Sequence, residues 1–284
     1  MTGEFNVDAL LPHEMAVKAE SFGVRKAAQP FLPLFALSVL AGAFIGLGAM
    51  LSTIVAVGSA SLPYGVARLL IGFSFCIGLI LVVVGGAELF TGNNLIIMAW
   101  ASRKVSFRAL MRNWGVVYLG NLVGSMGTAF MVFLSKQYTF DTGSVGTAAL
   151  KIAAAKVHLG FFQAVMLGIL CNVLVCLAVW LTYSARSTTD KILAILFPVT
   201  AFVAASFEHS VANMYFIPYA IFIKTLDPAY AALLAVKAPY LTELTWPSFL
   251  LKNLLPVTIG NIIGGGGLVA ATYWFIYLRG TKKD

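Results

Sequence analysis

Charge is scarce in this 284-residue chain: Asp, Glu, Lys and Arg make up 11% of it and hydrophobic residues 60%. Soluble domains carry about 25% charged residues, so that balance excludes an ordinary soluble domain and predicts a polytopic membrane protein. Histidine and cysteine are also rare, at three each. Cys76, Cys171 and Cys176 lie in apolar stretches without metal-ligand spacing and read as small buried hydrophobes rather than a redox or metal centre. There is no His-Glu-x-x-His pattern, and Gly264 to Gly267 follows no predicted strand, so neither a zinc-enzyme motif nor a dinucleotide fingerprint is present. The first 26 residues lack the basic start, apolar core and small-residue cleavage site of a secretory signal. They predict a short amphipathic helix, with Leu10, Leu11, Met15 and Val17 apolar. No cofactor and no metal site are expected.

Long apolar runs are what the chain has instead. Six charge-poor stretches, at 30–57, 66–100, 114–134, 159–183, 192–223 and 249–278, each have the roughly 20 residues that cross about 30 Å of hydrocarbon. The net charge of +8 does not signal nucleic acid, because its distribution fits the positive-inside rule. With the N-terminus cytoplasmic, the inside face holds Lys18, Arg25, Lys26, Arg103, Lys104, Arg108, Arg112, Arg186, Lys191, Arg279, Lys282 and Lys283. The other face holds Arg68, Lys136, Lys151, Lys156, Lys224, Lys237 and Lys252, mostly in the two longer loops. Both termini are therefore expected in the cytoplasm. The expected organisation is a cytoplasmic N-terminal helix (1–27), one transmembrane bundle (28–279) and a short cytoplasmic tail (280–284).

The bundle repeats internally. Glu88 precedes Asn93 by five residues as Glu208 precedes Asn213, and Gly120-Asn121-Leu-Val-Gly124 answers Gly260-Asn261-Ile-Ile-Gly264. Each of the latter follows another asparagine, Asn113 or Asn253, by eight positions. Spans one to three (28–137) thus correspond to spans four to six (156–279). Three is odd, so the second half enters the membrane inverted, an arrangement that places a permeation site at the repeat interface. Spans two and five also look broken, at Gly85-Gly86-Ala-Glu-Leu-Phe-Thr91-Gly92 and at Ala204-Ala-Ser-Phe-Glu-His-Ser210, with Pro198 and Pro218 constraining the second. Glycine costs a helix about 1 kcal/mol relative to alanine. Broken helices persist at membrane depth only where freed backbone meets protein or a cavity.

Polar residues in these breaks are the candidate site. A charge at the bilayer centre costs about 2.5–3.5 kcal/mol on insertion scales, so Glu88 and Glu208 should face the bundle interior. They either cap orphan N–H groups of the second half-helices or mark the path itself. His209, the one histidine inside a span, is either a core residue bonded to a carbonyl or a donor to a small anion. Thr91 shares a face with Glu88 and either bonds back to its own helix or lines the passage opposite His209. Phe75, Phe90, Phe202 and Phe207 cluster around the breaks; as well as filling core they can form apolar constrictions, completed by Leu79, Leu89 and Val175. Lys156, at the outer end of span four with His158, either anchors a helix end or draws anions into a vestibule. The Gly42-Ala-Phe-Ile-Gly46 pattern and its two counterparts permit close helix packing.

The segments Ala87-Glu-Leu-Phe-Thr91, Phe207-Glu-His-Ser-Val-Ala-Asn213-Met214, Pro256-Val-Thr-Ile-Gly-Asn261-Ile-Ile-Gly264 and Asn172-Val-Leu-Val-Cys-Leu-Ala-Val-Trp180 resemble the formate/nitrite transporter family, specifically its formate channels. The resemblance covers nearly the whole chain. It implies an all-α, aquaporin-like six-helix protomer with broken helices two and five, assembled as a homopentamer in the bacterial inner membrane, its partners being membrane lipid and small anions such as formate. It also implies that Thr91 and His209 line the pore, with Glu88, Glu208, Asn172 and Asn213 as supporting polar groups and Lys156 at the periplasmic vestibule. Family constrictions map to Phe75, Leu79 and Phe202 on one side, and Leu89, Phe90, Val175 and Phe207 on the other. Formate permeation, passive or proton-linked through His209, is the leading expectation, with low-pH gating by the N-terminal segment. A nitrite or hydrosulfide channel is the alternative. An intramembrane enzyme is remote, because no nucleophile and base are positioned by a third group, and a single intramembrane histidine cannot pair as haem ligand.

Overall fold

The computed structural model describes residues 9–235 and 239–280, and within them every regular element is helical. The expected N-terminal segment is helix α1 (Pro12–Ala28), started by proline at its first position and a Leu11 N–H donated to Glu14 Oε2 at 2.7 Å. Its first eight residues lie outside the described part, as do Lys237, Lys282 and Lys283. The buried stripe of α1 is Met15, Ala16, Ala19, Gly23 and Ala27, while Leu11 and Val17 are exposed. Apart from Met15, the buried stripe is of small residues, and Gly23 lies close against Ile96 and Ala99.

Among the described residues, five uninterrupted helices are long and apolar enough to cross a membrane: α2 (Phe31–Ala56), α3 (Tyr64–Val84), α5 (Phe107–Leu134), α7 (Phe161–Ser184) and α11 (Ser248–Tyr277). After α3 the chain loses helical form at 85–91 and resumes as a 3₁₀ turn, Gly92–Ile96, running into α4 (Ile97–Ala101). This interruption follows 21 helical residues, about 31 Å of rise at 1.5 Å per residue, and falls where the Gly85-Gly86 pair was expected to break the stretch. Residues 64–84 contain no breaker strong enough to stop the helix before the Gly85-Gly86 pair. The fifth apolar stretch is two 17-residue helices, α8 (Thr188–Ala204) and α9 (Ser210–Leu226), separated at 205–209. Helices α6 (Ser144–Val157) and α10 (Pro228–Ala235) lie between the long ones in sequence. In α11 the backbone bonding is π-type over Ser248–Leu254 and Ile262–Ala271.

Glycines set the closest helix crossings. A Cβ on Gly124 of α5 would collide with the Val39 carbonyl of α2, and one on Gly264 of α11 with the Ile169 carbonyl of α7. These backbone contacts bring α2 to α5 and α7 to α11 near enough for the buried side chains described next to reach both breaks.

Candidate site at the two helix breaks

Each break is held by the same set of side chains. In the first, Glu88 Oε2 accepts from Lys26 Nζ (2.8 Å) and Asn93 Nδ2 (2.8 Å), Asn93 also donates to Asn113 Oδ1 (3.0 Å), and Asn113 donates to the Lys26 carbonyl (3.0 Å). In the second, Glu208 accepts from Lys156 Nζ (2.7 Å) and Asn213 Nδ2 (2.7 Å), Asn213 donates to Asn253 Oδ1 (2.7 Å), and Asn253 donates to the Lys156 carbonyl (2.9 Å). Both carboxylates are buried. Removing one member of such a pair strands the other charge, at about 3–5 kcal/mol.

The acids do not cap the half-helices. Asparagines from the neighbouring long helices reach the breaks instead: Asn121 Oδ1 accepts from Phe90 N–H and Asn261 Oδ1 from Ser210 N–H, each at 2.9 Å. The amide nitrogens of these two residues donate to the Glu88 and Glu208 carbonyls, at 2.9 and 3.0 Å. Each asparagine thereby satisfies a freed donor and a freed acceptor of an interrupted backbone.

Between the breaks, Thr91 Oγ1 and His209 Nε2 are 2.9 Å apart, and both residues are buried. His209 is the N-cap of α9, its Nδ1 accepting the Ala212 N–H at 3.1 Å. An Nδ1 that accepts carries no proton, so the neutral ring has its proton on Nε2 and donates it to Thr91. Thr91 Oγ1 makes no further hydrogen bond among the described residues, which leaves its own proton free. The Thr91 carbonyl is fixed from behind by Asn172 Nδ2 and Cys176 Sγ, both at 3.3 Å. Cys176 is thus a buried residue in contact with the site rather than a simple core hydrophobe.

Two cavities lie near this pair; His209 lines one of them, and Thr91 is buried outside both linings. One, of about 470 Å³, opens beside α1 and is lined by Lys18, Arg25, Lys26, Lys191, Glu88, Leu79 and Leu89 among others. The other, of about 410 Å³, opens beside α6 and is lined by Arg68, Lys156, Glu208, His209, Phe75, Phe202 and Phe207 among others. Phe75 and Leu79 are one turn apart on α3, so along that helix only about 6 Å separates the two linings. Phe202 stacks on His209 (centroids 6.0 Å) and takes the edge of Phe75 (5.8 Å). The expected grouping of apolar residues changes accordingly: Phe207 joins Phe75 and Phe202, and Leu79 joins Leu89. Phe90 and Val175 are buried outside both linings. The Phe90 N–H is drawn to Asn121, which turns its ring onto Trp114 and Tyr118 of α5, at 5.9 and 4.9 Å. Lys156 lines the second cavity but is an ion-paired group whose ammonium also sits 5.3 Å from the Phe216 ring, not a free cation.

The sequence model of the family described as formate/nitrite transporter matches residues 13–275. The chain belongs to the formate/nitrite transporter family. It is 45% identical over 273 residues to the formate channel FocA of Escherichia coli (strain K12), covering 96% of each chain. With FocA of Haemophilus influenzae it shares 40% over 259 residues, 90% of this chain and 91% of that one. Among solved structures it is similar to a pentameric formate channel with formate bound (TM-score 0.82, 46% identity, 87% of this chain and 98% of that one). An FNT family ion channel gives TM-score 0.78 at 30% identity, over 93% of this chain and 98% of that one. The protein is therefore an all-helical, multi-pass membrane protein of a family of channels and transporters.

For this family member, sequence reasoning singled out Thr91, His209, both acids and Lys156; the structure bonds Thr91 to His209 and Lys156 to Glu208, and gives Glu88 a separate network with Lys26. It missed Lys26, placed only among cytoplasmic charges, and gave Asn121 and Asn261 no role beyond marking the repeat. The repeat itself carried part of the signal: the aligned pairs Glu88 and Glu208, Asn93 and Asn213, Asn113 and Asn253, and Asn121 and Asn261 take matching places in the two networks.

Proposed function

We propose that the chain is a channel for formate and related small monovalent anions across the bacterial inner membrane, working as a homopentamer with one pore per protomer. The observation that carries the reading is the Thr91–His209 hydrogen bond standing where two polar-mouthed cavities come within a helical turn of each other. The names of the relatives support formate as the substrate, and the pentameric neighbour supports the assembly. The matched break networks support an aquaporin-like six-span protomer of two inverted three-span repeats, 28–137 and 156–279. The cationic lining of the α1 cavity supports a cytoplasmic location for that mouth and for both termini.

An anion entering from either cavity sheds water against Phe75, Phe202, Leu79 and Leu89. It is met by the free Thr91 hydroxyl proton; Nε2–H of His209, already donated to Thr91, reaches it only by leaving that bond. As a hydrogen-bond donor the imidazole compensates lost hydration without changing charge. Passage as formic acid needs a second proton on the ring, and Nδ1 can carry it only by giving up the Ala212 bond; proton-linked export is the conditional branch of this route. Low-pH gating by the segment that includes α1 belongs to the same proposal.

Stopped-flow formate uptake into proteoliposomes from pH 5 to 8, with nitrite and hydrosulfide as competitors, tests it. The expected outcome is saturable formate flux whose pH dependence changes in His209→Asn, which keeps a cap acceptor for Ala212 but cannot reach Thr91. Flux equal to that of empty liposomes would reject the channel. A His209→Asn profile identical to that of the parent would remove the imidazole from the mechanism.

A further inference from the structure

The two breaks are not clamped alike. Both first helices end with the same C-terminal pattern: Ala87 N–H returns to the Val82 carbonyl and Phe207 N–H to that of Phe202, each at 2.9 Å. Each pattern needs a left-handed residue just past the helix. At the first break that residue is Gly86 (φ 77°), at no steric penalty. At the second it is Ser206 (φ 59°), whose Cβ disfavours the conformation.

Arg68 of α3 is what meets Ser206. Its Nη2 donates to Ser206 Oγ at 2.8 Å and to the Val203 carbonyl, and its Nε donates to the Ala204 carbonyl at 3.0 Å. One guanidinium thus engages two terminal carbonyls of α8 and the hydroxyl of the strained residue, at the end where the helix dipole favours a cation. Gly86 has no hydroxyl to be held, and the position that corresponds to Arg68 in the second half is Thr188. The clamp therefore belongs to one break alone. Three residues beyond Ser206 stands His209.

We propose that Arg68 is a positioning residue for the permeation site: it pins the end of α8, holds Ser206 left-handed, and so fixes the height and direction of His209 toward Thr91. Serine stands there because its hydroxyl completes the clamp. The Nε and Nη2 donors are engaged by these protein acceptors, and the Arg68→Lys variant separates that clamp from an effect of charge alone. This rests on the formate-channel reading, but the structural part can be read without transport.

The test uses the purified full-length protein in two readouts, hydrogen–deuterium exchange of the peptides spanning 203–212 and formate flux in proteoliposomes. Arg68→Met is expected to speed exchange in that segment and lower maximal flux about tenfold, as for loss of a charge-assisted hydrogen bond, with half-saturating formate changed less than twofold. Adding Ser206→Gly, which relieves the left-handed strain, is expected to recover at least half of both losses. Arg68→Lys keeps the charge and loses the fork, and is expected to resemble Arg68→Met. Should Arg68→Met not fold, Arg68→Lys with and without Ser206→Gly carries the same comparison. Wild-type flux of Arg68→Lys beside an impaired Arg68→Met would overturn the proposal in favour of charge steering, as would failure of Ser206→Gly to rescue. Unchanged exchange in Arg68→Met would overturn it outright. Absence of flux in the parent protein would instead reject the channel reading and leave the exchange result to judge the clamp.

Discussion

At the residue scale the site is a problem of proton placement. His209 accepts at Nδ1 and donates at Nε2, and Thr91 accepts that donation, so the pair presents one unspent donor, the threonine hydroxyl. Thr91→Val keeps the shape, deletes that donor and strands Nε2–H. An unpaired buried donor costs about 1–3 kcal/mol, and formate flux is expected to fall roughly tenfold or more while Thr91→Ser stays within about threefold of the parent. Equal flux through the valine and serine variants would show that the hydroxyl is not used. The buried ion pairs make a second residue-level prediction. Lys156→Met leaves Glu208 without its cation, 15% and 5% being the side-chain exposures of the two partners, and is expected to lower the melting temperature of the purified protein by an amount equivalent to about 3–5 kcal/mol. Lys156→Met/Glu208→Gln should recover part of it. Failure of the double variant to recover any stability would mean that the pair does not act as a unit.

At the element scale the helix breaks depend on asparagines that belong to other helices. Asn121 and Asn261 each give one acceptor and one donor to interrupted backbone, and a second donor to a neighbouring helix, at the Ser38 carbonyl of α2 (2.7 Å) and the Gly168 carbonyl of α7 (2.8 Å). Replacement of either by alanine should destabilise by about 1–3 kcal/mol per stranded polar group, and by a similar amount at both positions because the surroundings match. Thermal unfolding of the two variants checks this; a large effect at only one would show that the second break is self-supporting. The same elements show what could be read from sequence. The apolar stretches, both interruptions and the close glycine crossings were legible, since length, composition and Gly-rich patterns are local properties. The use of Asn121, Asn261 and Lys26 was not, because it depends on which helix lies against which break. Nor was the orientation of Phe90, which follows from a backbone bond to a residue 31 positions away. The first break falls at 85–91, where the Gly85-Gly86 pair placed it.

At the scale of the whole molecule, α1 is both a wall of one cavity and a structural member. Lys18 Nζ donates to the Tyr183 carbonyl (2.7 Å), Ser184 Oγ to that of Leu10 (3.0 Å), Glu20 pairs with Lys104, and Lys26 neutralises Glu88. The Lys18 ammonium is held below its usual range by burial and then by the charges of Arg186 and Lys191. A lysine whose folded pKa lies below its unfolded value takes up protons on unfolding, so this group favours release of α1 as pH falls through that window. A gate built from the N-terminal segment must therefore be separated from the support that Lys26 gives the pore. Deletion of residues 1–26 removes both, and is expected to lower stability by stranding Glu88 in addition to any change in gating. Deletion of 1–11 leaves α1 and Lys26 in place. If gating resides in α1, the shorter deletion keeps acid inhibition of formate flux, and the longer deletion loses it when combined with Glu88→Gln to restore neutrality at the break. Acid inhibition that survives in the stabilised longer deletion would place the pH response in the bundle itself.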